Sequence, residues 1–103
     1  FKSLYFSALF GAAELSTGIL CQMNLQGEGR WSMLVVEASG QFTKKAIGRI
    51  VFECDQGLWL REEIQRIKTV GSGSFTLNST GRNENDEVIG HYQFKWSLKY
   101  KGE

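Results

Sequence analysis

One hundred and three residues suffice for one hydrophobic core and fall short of two. A composition of 42% hydrophobic and 22% charged residues excludes a disordered chain. Lys and Arg number 12 against 11 Asp and Glu, a net charge of +1 spread along the chain, so no basic face forms and no nucleic-acid partner is expected.

The chain opens at Phe1 without a methionine and runs directly into helix-like sequence, so either its N-terminus was processed or residues precede it. Leu4 to about Leu20 is rich in Ala and Leu and predicts a helix. Leu4, Ala8, Ala12, Leu15 and Ile19 recur at helical spacing as an apolar face, and Ser3, Ser7, Gly11, Glu14 and Gly18 form a second, small or polar stripe. A membrane span would not carry Glu14 at its centre, diluted further by Ser3, Ser7, Ser16 and Thr17. A signal peptide, with Lys2 as its basic end, fits less well than a buried core helix. No membrane association is expected.

Gln22 to Arg30, with Gly27 and Gly29, reads as a turn-bearing connection. Trp31 to Phe42 is strand-like, and its Met33-Leu34-Val35-Val36 run suits a strand covered on both faces. Ala46 to Cys54 alternates as a second strand, expected to return on the first as a hairpin. Gly57 to about Val70 has helical period, with Leu60, Ile64 and Ile67 on one side, and Gly71-Ser72-Gly73 ends it. Phe75 to Thr80 is a third strand, followed by a polar turn over residues 81–87. In the last strand, Val88, Gly90, Tyr92, Phe94, Trp96, Leu98 and Tyr100 share one face. That face needs a partner of its own length, and the first helix is the one available. The prediction is one α+β domain over 1–103.

Glu14 is the residue of greatest chemical interest. A carboxylate in an apolar helix is costly unless it is paired, hydrogen-bonded or open to a cleft, and at a cleft it is a candidate general base or nucleophile. A carboxylate that simply points into solvent at a gap in the sheet has the same signature. The free N–H groups at the helix start, from Lys2 to Tyr5, could polarise a carbonyl, or be an ordinary helix end. His91 lies on the polar face of the last strand, where a solvated or interface role outweighs a catalytic one. With Cys21 and Cys54 in no ligand spacing and a single histidine, no metal and no cofactor are expected. Two free thiols point to the cytoplasm.

Taken together, a helix with an embedded acid, a strand pair, a short surface helix and two further strands resembles the hotdog fold. Ser3-Leu4-Tyr5-Phe6-Ser7-Ala8-Leu9 through Ala13-Glu14-Leu15-Ser16-Thr17-Gly18 is similar to the central helix of the phenylacetate-type acyl-CoA thioesterases. Phe42-Thr43-Lys44-Lys45-Ala46-Ile47-Gly48 resembles a strand passage in them, and Ser79-Thr80-Gly81-Arg82-Asn83 with Glu87-Val88-Ile89-Gly90 their final hairpin. The resemblance spans the chain, nearest to a little-characterised thioesterase-like branch. It implies an antiparallel sheet wrapped around one long central helix, with a further strand expected before that helix. It also implies hydrolysis of an acyl-CoA or related acyl thioester, with Glu14 as base or nucleophile. Ser3, Leu4, Tyr5, Ser7 and Gly11 then stand as oxyanion and substrate contacts, and the assembly is a homodimer or homotetramer whose sites are shared between subunits. The family's His-Gly-Gly entry to the helix is absent from this sequence. A non-catalytic acyl-binding module and a hotdog dehydratase or hydratase are the alternative functions.

Overall fold

The structure of the chain, a computed structural model, describes residues 2–44 and 48–103, with side chains from residue 8 onward. The elements run α1 (Lys2–Leu25), β1 (Arg30–Phe42), β2 (Val51–Glu53), α2 (Gly57–Val70), β3 (Ser72–Arg82) and β4 (Val88–Gly102). The four strands form one antiparallel sheet in the order β1-β4-β3-β2, and both helices pack on one of its faces. The described residues thus make an α+β unit of a four-stranded sheet and two helices.

The alternation read in the last strand is the organising feature of the core. Tyr92, Phe94, Trp96 and Leu98 are buried together with Phe75 and Leu77 of β3, Ala13 and Cys21 of α1, and Leu60, Ile64 and Ile67 of α2. Burying each large side chain contributes about 1.5–3 kcal/mol. Helix α2 matches its expected limits, and Gly71 closes it with φ 101, a left-handed conformation in which its N–H reaches the Ile67 carbonyl at 2.7 Å.

Four expectations need correction. Helix α1 continues past Leu20 to Leu25, because Gln22 to Leu25 hold no helix breaker before Gly27. Its inward face is also a different one. Leu9, Ala13, Thr17 and Cys21 are buried, whereas Ala8 and Ala12 are exposed and Leu15 and Ile19 stand 60% and 46% exposed. The bulk of the core comes from the aromatic side chains of the sheet, so the helix side that meets them must be small. Among the described residues the sheet therefore covers α1 on one side only.

The third correction concerns β1, which is an edge strand rather than one covered on both faces: Leu34 is 64% and Val36 47% exposed. The fourth concerns the hairpin. β1 pairs with β4, and the second strand, reduced to Val51–Glu53, pairs with β3 at the opposite edge. Its expected start at Ala46 and Ile47 lies outside the described residues. Beyond Glu53 the β3 edge is occupied by a side chain: Gln56 accepts from the Asn78 N–H at 2.6 Å and donates to the Thr76 carbonyl at 3.4 Å. That substitution ends β2 and starts α2. At the other end of β3, Gly81 faces Gly90 and Arg82 faces Val88, leaving Ile89 as a bulged residue. The bulge turns Ile89 inward onto Leu9, while its carbonyl accepts the Thr43 and Lys44 N–H groups.

Candidate functional site

Glu14 sits on the flank of α1 that borders β1. Residues three and four apart on a helix share a side, and the two neighbours four residues away, Phe10 and Gly18, locate that side. Phe10 packs on Phe42 and Tyr92 with ring centroids 6.4 and 5.6 Å away, and a Cβ at Gly40 would lie 2.9 Å from its ring. Gly18 lies against the Trp96 indole, and Trp96 pairs with Val35 of β1. Glu14 is therefore level with the middle of β1, where the strand bulges between Val35 and Glu37 and then offers the small residues Ala38 and Gly40. Its side chain is exposed, and among the described residues it forms no ion pair. Further along the same flank the space between α1 and β1 opens into a cleft of about 290 Å³, lined by Gln22, Leu25, Gln26, Gly29, Trp31 and Met33.

The opposite flank of α1 carries a second, more apolar cleft of about 440 Å³, with Ile19, Leu20, Met23, Phe52 and Cys54 as walls and Glu53 and Asp55 at its rim. Glu14 is not part of it. The lone histidine, His91, is exposed on the outer face of the sheet beside Gln41 and Gln93, so the thickness of the sheet separates it from Glu14.

The other predicted site residues divide by position. Gly11 lies one turn before Glu14 on the same flank, and among the described residues no side chain or neighbouring element comes within 4 Å of where a Cβ would stand. Ser3, Leu4, Tyr5 and Ser7 are in α1, and their side chains lie outside the described residues. Because α1 is one uninterrupted helix, the amides of Ser3 to Tyr5 stand about 14–17 Å along its axis from Glu14. Within one copy of the chain, these amides and this carboxylate cannot meet at a single carbonyl group.

Sequence inspection missed the polar pair beneath Glu14. Thr17 is fully buried, accepts the Trp96 indole N–H at 3.0 Å, and donates to the Glu14 carbonyl at 2.8 Å. Burial pushes the Cys21 thiol up to about 11, and desolvation also raises Cys54, so neither thiol is tuned as a nucleophile. Among the described residues, no group of three His, Cys, Asp or Glu side chains could hold a metal ion, and no helix is long and apolar enough to cross a membrane.

No family model matches the sequence, and no curated protein matches it significantly. Among solved structures, the chain is similar to a Pseudomonas aeruginosa protein of unknown function described as a probable thioesterase, with a TM-score of 0.78 at 24% identity. The two chains share a fold. The likeness covers 90% of this chain and 62% of the other, so this chain spans under two thirds of that relative's length.

Proposed function

We propose that this thioesterase-like domain is of the hotdog type and hydrolyses an acyl thioester, an acyl-CoA or a related carrier ester, with Glu14 as the catalytic carboxylate. The supporting observation is the placement of Glu14: the one acid of α1, in the middle of a largely apolar helix, exposed on the flank that borders β1. In the reaction, Glu14 takes a proton from water as the oxygen attacks the thioester carbonyl, and the oxyanion then collapses with loss of the thiolate. Direct attack by the carboxylate, giving an anhydride that water cleaves, uses the same geometry. The dehydratase alternative is disfavoured by the position of His91 behind the sheet.

The oxyanion donors require a second copy. Two α1 helices lying antiparallel across a two-fold axis bring the Ser3–Tyr5 amides of one level with Glu14 of the other when the axis crosses midway, near Leu9 and Phe10. Phe10 stands beside Gly40, so the axis then passes the β1 edge at Gly40. β1 suits such a junction: it is an edge strand, holds no proline or lysine between Arg30 and Phe42, and past its bulge at Val35–Glu37 runs on through the uncharged residues 38–42. A homodimer joined there forms two shared sites.

Replacing Glu14 by Gln tests the chemistry. Thioester hydrolysis should fall by about two orders of magnitude with melting and acyl-CoA binding unchanged, and a folded Glu14→Gln protein with full turnover ends the assignment. If the wild type binds acyl-CoA without hydrolysing it, the domain is a binding module. For the dimer, Ser39→Cys should cross-link through a short bis-maleimide in a Cys54→Ser background, and Asn78→Cys, exposed on β3, should not. A strict monomer at micromolar concentration removes the shared site.

A further inference from the structure

Leu9, Phe10, Leu20 and Leu25 key the two ends of α1 into the core, but small residues, Ala13, Thr17, Gly18 and Cys21, occupy the centre of its buried side. A contact surface of small residues resists rotation weakly, since turning it changes few apolar contacts. Two neighbouring hydroxyls add a directional restraint at that centre. Each has one proton to give. Thr17 gives its own to the Glu14 carbonyl at 2.8 Å, so its oxygen receives the Trp96 indole N–H at 3.0 Å. Ser16 gives its own to the Ala13 carbonyl at 2.7 Å, so the buried Ser79 hydroxyl, 2.8 Å away, donates to it. Adjacent residues project about 100° apart around a helix, and these two reach different strands, Trp96 on β4 and Ser79 on β3. Rotating α1 by one residue would strand both donors in the core without acceptors, a state folded proteins avoid.

We propose that Thr17, seated on the Trp96 indole, is a positioning residue that fixes the rotation of the middle of α1 and so holds Glu14 on the flank that borders β1; this rests on the proposed role of Glu14. Thr17 touches no substrate. It binds the backbone carbonyl of the very residue whose side chain is to act, and Trp96 can lie close enough because Gly18, the next residue, has no side chain: a Cβ there would be 3.3 Å from the ring. The hydroxyl is what matters, so serine should serve and valine should not.

The test compares Thr17→Val, Thr17→Ser and Trp96→Phe with the wild type and Glu14→Gln. Thr17→Val should lower kcat for acyl-CoA hydrolysis by about tenfold to a hundredfold, the scale of a small misplacement of a reacting group, with KM unchanged. Thr17→Ser should restore kcat to within about twofold. The indole N–H resonance of Trp96, assigned by its loss in Trp96→Phe, should move upfield and exchange faster in Thr17→Val, and Trp96→Phe should share the kcat defect. A folded Thr17→Val protein with a displaced indole signal and full kcat overturns the proposal while leaving Glu14 as the base. Should Glu14→Gln prove fully active, or the wild type inactive, the role of Glu14 fails separately. The rotation is then read from the Glu14 carboxyl carbon resonance, which must shift in Thr17→Val and not in Thr17→Ser; no shift overturns the positioning role. If Thr17→Val does not fold, Trp96→Phe carries the same comparison.

Discussion

Gly11 and Gly18 occupy the same flank of α1 and make a matched pair of probes. Replacing an interior helical glycine by alanine ordinarily stabilises by about 0.5–1 kcal/mol, because the unfolded chain loses freedom. At Gly11 the new methyl meets no described atom within 4 Å, so the full gain should appear, a rise in Tm of about 2–8 °C for a domain of this size. At Gly18 the methyl would stand 3.3 and 3.4 Å from two carbons of the Trp96 ring. That ring is tethered by its hydrogen bond to Thr17 and cannot simply retreat. The propensity gain is there offset by crowding, and Tm should stay level or fall. Thermal and urea unfolding of the two variants side by side is the assay. Equal stabilisation at both sites would show that Trp96 yields freely, refuting the tight seat. Destabilisation at Gly11 would show that the flank is not open. A Gly11→Ala protein that is more stable yet slower in thioester hydrolysis would place substrate over that position.

Two further outcomes follow from the core. Ile67 is fully buried beneath α2, so Ile67→Ala should cost about 2–5 kcal/mol in urea unfolding, and a cost below about 1 kcal/mol would mean that α2 is only loosely seated. The thiols give a pH dependence. The folded pKa of Cys21, about 11, exceeds its ordinary value of 9.0, so the stability it contributes is complete below pH 9 and lost as pH rises toward 11. At pH 8, Cys21 should not react with a thiol reagent until the protein unfolds, and half-buried Cys54 should react slowly; rapid labelling of both would contradict this packing.

Local pattern made α2 and β4 legible because each has one strong period and a clear side to bury. The inward side of α1 was not legible by the same rule. Leu15 and Ile19 are its bulky residues, but bulk on a helix decides its orientation only when the opposing surface is not already filled. Here Tyr92, Phe94 and Trp96 fill it, and Ala13 and Thr17 turn inward to accommodate them. The pairing of β1 with β4 was equally hidden, since adjacent strands in sequence are the default partners and nothing local reports a partner so distant along the chain. Glu14 was conspicuous as an acid in apolar surroundings. Its support was not, for Thr17 and Trp96 are 79 residues apart in sequence. The adjacent hydroxyls of Ser16 and Thr17 in an otherwise apolar helix were the available hint.

The position of β4 bears on how the chain is made. It is the last strand in chain order yet lies inside the sheet, with β1 on one side and β3 on the other. During synthesis β1 therefore emerges long before β4, the described strand it pairs with, and the apolar, uncharged run Met33-Leu34-Val35-Val36 is made without that partner. The aromatic residues that complete the core arrive together in that final strand, so assembly is a late, concerted event rather than a gradual one. For a nascent chain of this design, the interval before Val88 to Gly102 clears the exit tunnel is the period in which a chaperone has most to protect.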